Sequence, residues 1–169
     1  SGGLRCGQGC AERADPRELL PGARSVVVVA VAYAAQSEPG RPIARFARGR
    51  DYHNPMRRRL WKLARAVKQL EPDTRTYLAV DTGPVLERYW AERAGIGWIG
   101  KASNLVTPTQ SSWVLLGTLI IDRLCDYDEP AKDRCGTCAA CIPACPTGAI
   151  LAPRVVDARL CISYLTIEA

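Results

Sequence analysis

"SVVVVAVAY", Ser25 to Tyr33, holds five valines, two alanines and no charge in nine residues. A half-buried strand would alternate apolar with polar side chains; this run does not, so it reads as a strand covered on both faces. Covering both faces takes helices, and the chain supplies candidates. Asn54-Pro55 reads as an N-cap followed by proline at the first helical position. Met56, Leu60, Leu63, Ala64, Val67 and Leu70 then recur at helical spacing and predict one apolar face. "EPD" (71–73) breaks that helix. "TYLAV" (76–80) is a second buried strand, ending at Asp81. "DTGPVLERYWAERAGIG" (81–97) reads as a loop, a helix and a Gly95 stop. "SNLVT" (103–107) and "SSWVLLGTLII" (111–121) predict further strands. Strands alternating with helices make a layered α/β (α+β) domain over residues 1–124. "DRLCDYDEPAKD" (122–133) changes the composition, and a cysteine module is expected over 125–169.

The chain has 169 residues, 47% hydrophobic and 24% charged, which is globular composition. Its longest apolar runs are too short to cross a bilayer, and nothing near the start has the order of a signal peptide. It opens "SGGL" without Met, so further residues are expected before Ser1.

The net charge is +6, unevenly spread. From Arg41 to Lys68 there are ten basic residues and one acid, Asp51, giving +9. Such a block is either a polyanion-facing surface or a solvated helix face.

Eight cysteines in a secreted protein would suggest disulfides. Here four of them crowd into "CGTCAACIPACP", with the order C-x2-C-x2-C-x3-C-P at Cys135, Cys138, Cys141, Cys145 and Pro146. Mutual disulfides are awkward at that spacing. Zinc sites usually pair two C-x2-C knuckles instead. The run is that of bacterial ferredoxins: three thiolates wrap one [4Fe–4S] cubane and the fourth serves a second cluster. Cys161 is the next available ligand. Two clusters need eight cysteines, so another cysteine run is expected after Ala169. Cys6 and Cys10 stand apart at C-x3-C spacing, and Cys125 reads as a packed thiol.

His53 is the only histidine. Within "RDYHN" it either contacts a cofactor or nucleic acid or sits in a polar loop. "GIGWIGK" (95–101) lacks the P-loop spacing, so nucleotide triphosphate binding is rejected. A tight turn close to a large flat cofactor fits it better, with Lys101 and Ser103 as polar contacts. Trp98 and Trp113 read as core.

"RADPRELLPGARSV", "ARGRDYHNPMRRRL", "VDTGPVLERYWAERAGIGWIGK", "CGTCAACIPACPTGAI" and "VDARLCISYLTIE" together resemble the epoxyqueuosine reductase family, in order, over nearly the whole chain. The resemblance implies a cytoplasmic enzyme that reduces epoxyqueuosine at the tRNA wobble position to queuosine, the last step of queuosine synthesis. It implies cobalamin, held by the first domain, and two [4Fe–4S] clusters in the complete protein, held by a ferredoxin-like module that is partial here. It implies tRNA (the anticodon stem-loop) and a cellular electron donor as partners, with no membrane; a monomer is expected. Asp81 maps to the family's proton donor, Cys135, Cys138 and Cys141 to one cluster, and Cys145 and Cys161 to the other. His53, Arg88, Lys101 and Ser103 are the cofactor-binding candidates, and Arg57, Arg58 and Arg59 the RNA-binding ones. The family continues beyond "SYLTIE" with a further cysteine run.

On its residues alone, Asp81 either belongs to a site at the C-terminal end of a strand, where open α/β sheets place theirs, or caps a helix starting at Pro84. Arg88 either faces a phosphate or carboxylate or lies exposed. As a proton donor, Asp81 would have to hold a proton near neutrality, against an ordinary value of ~3.9. Burial against a corrin and apolar walls is expected to supply that shift. Two other classes stay open: an electron-transfer module, and a nucleic-acid-binding protein with a structural cluster. A cobalamin-dependent reductive dehalogenase is the closer chemical rival.

Overall fold

The computed structural model describes residues 15–33 and 44–167. Arg41, Cys6, Cys10 and Glu168 lie outside the described residues. A short helix α1 (Pro16–Leu19), N-capped by Asp15, leads into strand β1 (Ser25–Ala32). A 3-10 turn (Arg45–Ala47) precedes helix α2 (His53–Leu70). Strand β2 (Thr76–Ala79), helix α3 (Glu87–Arg93) and the short strands β3 (Trp98–Ile99) and β4 (Leu105–Val106) follow. Strand β5 (Val114–Ile121) completes the main sheet.

The sheet order is β1-β5-β2, with β5 antiparallel to both neighbours. β1 and β2 therefore run the same way with β5 between them, and α2 connects them. Its two faces carry separate cores. Met56, Leu60 and Ala64 of α2 pack with Val80, Leu119 and Ile121 on one face. Leu20, Ala79, Val85 and Ile120 form the other core, with Val26 and Trp90 of α3 against it. This is why β1 and β5 are apolar throughout: alternate residues serve opposite faces. Gly117 in β5 lets α2 come close, since a Cβ there would lie 3.0 Å from Met56 Cγ.

Three expectations are corrected. α2 begins at His53, not after Asn54, and the side chain that helps its first turn is Asp51, which accepts the His53 N–H at 2.9 Å. Leu70 is 84% exposed, because the apolar stripe leaves the sheet before the last turn. Cys125 is exposed rather than packed; its N–H donates to Ser25 Oγ just beyond the end of β5.

Residues 122–149 are turns and irregular backbone. Strands β6 (Ile150–Ala152) and β7 (Val155–Val156) form a hairpin. Asp157 N-caps a 3-10 turn (Ala158–Leu160), its side chain accepting the Arg159 N–H at 3.0 Å. Cys161 is extended, and helix α4 (Ile162–Ile167) starts after it. Among the described residues, no helix is long and apolar enough to cross a membrane.

Candidate active site and cysteine cradle

The strand register fixes where the site lies. Ala32 pairs with Val114 and Ala79 with Thr118, so β1 and β2 both run toward the N-terminal end of β5. Tyr33, Asp81 and Trp113 therefore emerge at one end of the sheet. α2 starts at this same end. The result is a cleft of about 640 Å³ whose lining includes Tyr33, Phe46, Tyr52, Asp81, Arg88 and Trp113. Its aromatic walls interlock: Tyr33 and Phe46 pack edge-on to Trp113 and Tyr52, respectively. Trp113 is not core; it is 38% exposed, with the Arg45 guanidinium 4.2 Å from its ring centroid. A larger groove of about 850 Å³ runs along β1 near Trp90 and Cys125, and none of the predicted site residues lines it.

Asp81 does not cap a helix. It takes a left-handed backbone, φ +54°, which costs a non-glycine residue about 1–2 kcal/mol. Its N–H donates to Glu87 Oε1 at 3.1 Å, which pins that conformation. Gly83 permits the turn that follows, since a Cβ there would lie 2.6 Å from that of Ala79.

His53 bridges two carboxylates. Its Nδ1 lies 2.5 Å from Asp51 Oδ1 and its Nε2 3.2 Å from Asp81 Oδ2. The hydrogen bond to Asp51, opposed by partial burial and reinforced by Asp81, raises the imidazole's pKa and favours the cation. Tyr52 stacks on His53 with ring centroids 4.3 Å apart. Burial, then the charge of Asp81, pushes its phenol up to about 12, so the hydroxyl keeps its proton. Burial also pushes Glu87 up to about 7, helped by the Asp81 charge and opposed by the Asp81 N–H and by His53.

The burial expected of Asp81 itself is not supplied by these walls: its side chain is 59% exposed. The shifted groups are its neighbours. Asp51, Tyr52 and Glu87 are site residues that sequence reasoning missed. Two of them immediately precede His53 in "DYH", and Glu87 lies six positions after Asp81, where only the turn brings it back.

Arg88 is exposed but engaged. Its Nη1 donates to the Ser103 carbonyl at 2.6 Å and toward Asn104 Oδ1 at 3.4 Å. Ser103 is left-handed, φ +60°. Lys101 points elsewhere, donating from Nζ to the Gly136 carbonyl at 2.8 Å. Arg88 thus lines the cleft, while Lys101 ties the same loop to the cysteine segment. The glycine-rich turn also has a packing role: a Cβ on Gly97 would overlap the Val106 carbonyl.

Cys135, Cys138, Cys141, Cys145 and Cys161 are all free thiols. Successive turns carry the first four: the Cys138 N–H donates to the Cys135 carbonyl, and the Cys145 N–H to that of Ile142. Asp133 accepts the Cys135 N–H at 2.7 Å and pairs with Arg154 at 3.1 Å. Hydrogen bonds, led by the Thr147 hydroxyl, bring the Cys145 thiol down to about 7, which favours the thiolate that iron requires. Among the described residues, no three His, Cys, Asp or Glu side chains converge on one metal-ion position. Ligands of a cubane each take a different corner, so thiols spread along turns fit a cluster.

Arg57, Arg58, Arg59, Lys62, Arg65 and Lys68 are all exposed on α2, and none forms an ion pair with a described residue.

The family model described as epoxyqueuosine reductase QueG, DUF1730 matches residues 13–82, and one described as a 4Fe-4S double cluster binding domain matches residues 134–169. An epoxyqueuosine reductase from Synechococcus sp. is 47% identical over 162 residues, 91% of this chain and 51% of that protein. A crystal structure of epoxyqueuosine reductase with an epoxyqueuosine-modified tRNA-Tyr stem loop superposes with TM-score 0.85 at 38% identity, over 92% of this chain and 44% of that one. One from Bacillus subtilis, with its catalytic aspartate loop swung out of the active site, has TM-score 0.85 at 36% identity, with the same coverage. The chain spans about half the length of the curated relatives it matches.

Proposed function

We propose that this chain, which belongs by sequence and fold to the epoxyqueuosine reductases, carries the proton-donating site and part of the electron-delivering module of an enzyme that reduces epoxyqueuosine in tRNA to queuosine. The observation that carries this reading is Asp81, held left-handed by Glu87 and paired with His53 at the mouth of an aromatic cleft. Removing an epoxide oxygen as water requires two electrons and two protons, one of them delivered as the oxygen departs.

Residues 1–124 form the cobalamin-binding domain and 125–169 the partial ferredoxin-like module in this reading. The open cleft suits a large flat group, with Tyr33, Phe46, Tyr52 and Trp113 giving apolar walls and Arg88 a charge at the rim. When bound, cobalamin supplies the carbon–oxygen chemistry, and the clusters supply single electrons. Cys135, Cys138 and Cys141 hold one cluster; Cys145 and Cys161 contribute to the second. The Arg88–Ser103 and Lys101–Gly136 hydrogen bonds join cleft and cysteine segment through one short loop.

Asp81 gives its proton to the oxygen as negative charge develops there. Exposed as it is in the chain alone, it needs the bound cofactor and substrate to displace water from around it. His53, cationic beside Asp51, returns a proton to Asp81 through Nε2. Tyr52 keeps its proton and holds the imidazole by stacking. His53 thus acts through Asp81, and Lys101 and Ser103 support the cofactor loop. Arg57, Arg58 and Arg59 meet the phosphates of the anticodon stem-loop from the exposed face of α2. A cytoplasmic location, a cellular electron donor and a monomeric state complete the proposal.

The test is anaerobic turnover of an epoxyqueuosine-bearing stem-loop by the cobalamin- and cluster-loaded protein, read by mass spectrometry of the released nucleoside. Queuosine formation with the loaded protein is expected. Redox-active clusters with no corrinoid binding would instead make this an electron-transfer module. RNA binding without turnover would make it a nucleic-acid-binding protein with a structural cluster.

A further inference from the structure

We infer that the Trp98 indole N–H tunes the cluster bound at Cys135, raising its reduction potential through a hydrogen bond to the ligating sulfur. This rests on the reading of Cys135 as a cluster ligand. Trp98 Nε1 lies 3.4 Å from Cys135 Sγ, and both residues are half-buried. An indole N–H donates and cannot accept, so the sulfur is the acceptor. Among the described residues, no other tryptophan donates to a cysteine: the Trp90 indole N–H has no partner, and Trp61 and Trp113 are exposed.

The contact is built rather than incidental. Trp98 is fixed in β3 by pairing with Val106. One residue on, the Ile99 carbonyl accepts from Arg154 Nε at 3.1 Å, and Arg154 Nη2 pairs with Asp133, which accepts the Cys135 N–H. The Lys101 carbonyl accepts the Arg154 N–H at 2.9 Å. Gly100 lies beside the thiol: a Cβ there would be 3.6 Å from Sγ, an ordinary van der Waals distance. Strand β3 and the thiol are therefore locked in register from both sides.

The electrostatic direction follows. One-electron reduction adds a negative charge that spreads onto the ligand sulfurs. A donor aimed at one of those sulfurs stabilises the reduced state more than the oxidised state. Hydrogen bonds to sulfur are among the features that set cluster potentials. Lys101, bonded to the Gly136 carbonyl next to Cys135, acts in the same direction.

The experiment is an EPR-monitored redox titration of the anaerobically reconstituted protein, native and Trp98→Phe. Cys138→Ser identifies the signal of this cluster. Trp98→Phe should lower the reduced-to-oxidised ratio at a fixed poise about tenfold, equivalent to ~59 mV for one electron. Pulsed EPR after exchange into D₂O should show a coupled deuteron in the native protein that Trp98→Phe lacks. An unchanged potential with a full cluster overturns the inference, as does a retained deuteron. If Trp98→Phe fails to assemble its cluster, uniform fluorotryptophan labelling preserves the shape and makes the N–H more acidic. The potential should then rise, and no change overturns the inference. Failure of the underlying ligand reading looks different: Cys138→Ser would leave the iron content and the EPR signal unaltered.

Discussion

The backbone N–H of Asp81 donates to Oε1 of Glu87 at 3.1 Å, so a half-buried acid holds the loop of an exposed one. Glu87 titrates near 7 through burial, against an ordinary 4.5, with Asp81, His53 and Tyr52 as its charged or titratable neighbours. A carboxyl whose folded pKa is raised binds more protons folded than unfolded between those values. Its contribution is therefore most favourable below about 4.5 and is lost as pH rises through about 7. Glu87→Gln keeps an oxygen for the Asp81 N–H and cannot ionise. Denaturant unfolding at several pH values should show the native protein losing stability relative to Glu87→Gln between these limits, and no further above them. A constant difference would mean that Glu87 does not titrate in this window.

Asp81→Asn preserves size and tolerates the left-handed backbone. In the loaded protein it should reduce turnover by about 10²–10⁴, the usual worth of general acid catalysis, with cobalamin, clusters and RNA affinity retained. Single-turnover assays with the modified stem-loop measure this. Near-native rates would remove Asp81 from the chemistry.

Arg57, Arg58 and Arg59 present three adjacent exposed cations. Changing all three to Ala should weaken stem-loop binding whatever its sequence and flatten the slope of log affinity against log salt, because fewer counterions are released. Fluorescence anisotropy across a salt series gives both numbers. An unchanged slope would return this face to solvent.

Iron and sulfide analysis of the reconstituted 169-residue chain should give ~4 irons, held at Cys135, Cys138 and Cys141 and easily lost, because three thiolates leave one iron of the cubane open. Eight tightly held irons, or stoichiometric zinc, would contradict this ligand assignment.

Leu60 is fully buried beneath the sheet, beside Gly117. Leu60→Ala should cost about 2–5 kcal/mol, measured as a lowered denaturant midpoint, since the close helix–sheet approach leaves a cavity that cannot readily collapse.

Local chemistry was enough for part of this protein. The valine run of β1, the spacing of Met56, Leu60 and Ala64, the Gly95 stop and the C-x2-C-x2-C-x3-C run each declare themselves within a few residues. Periodicity and ligand spacing are properties of neighbours along the chain. Strand order was not legible, because the place of β5 between β1 and β2 depends on pairings across roughly 40 to 100 residues. Tertiary structure alone brings Glu87 under Asp81 and Asp51 and Asp81 to opposite nitrogens of His53. It also turned Trp98 from an expected core residue into a partner of Cys135. A hydrogen bond across 37 residues leaves no periodic trace in the sequence; only the folded register of β3 against the cysteine turns creates it.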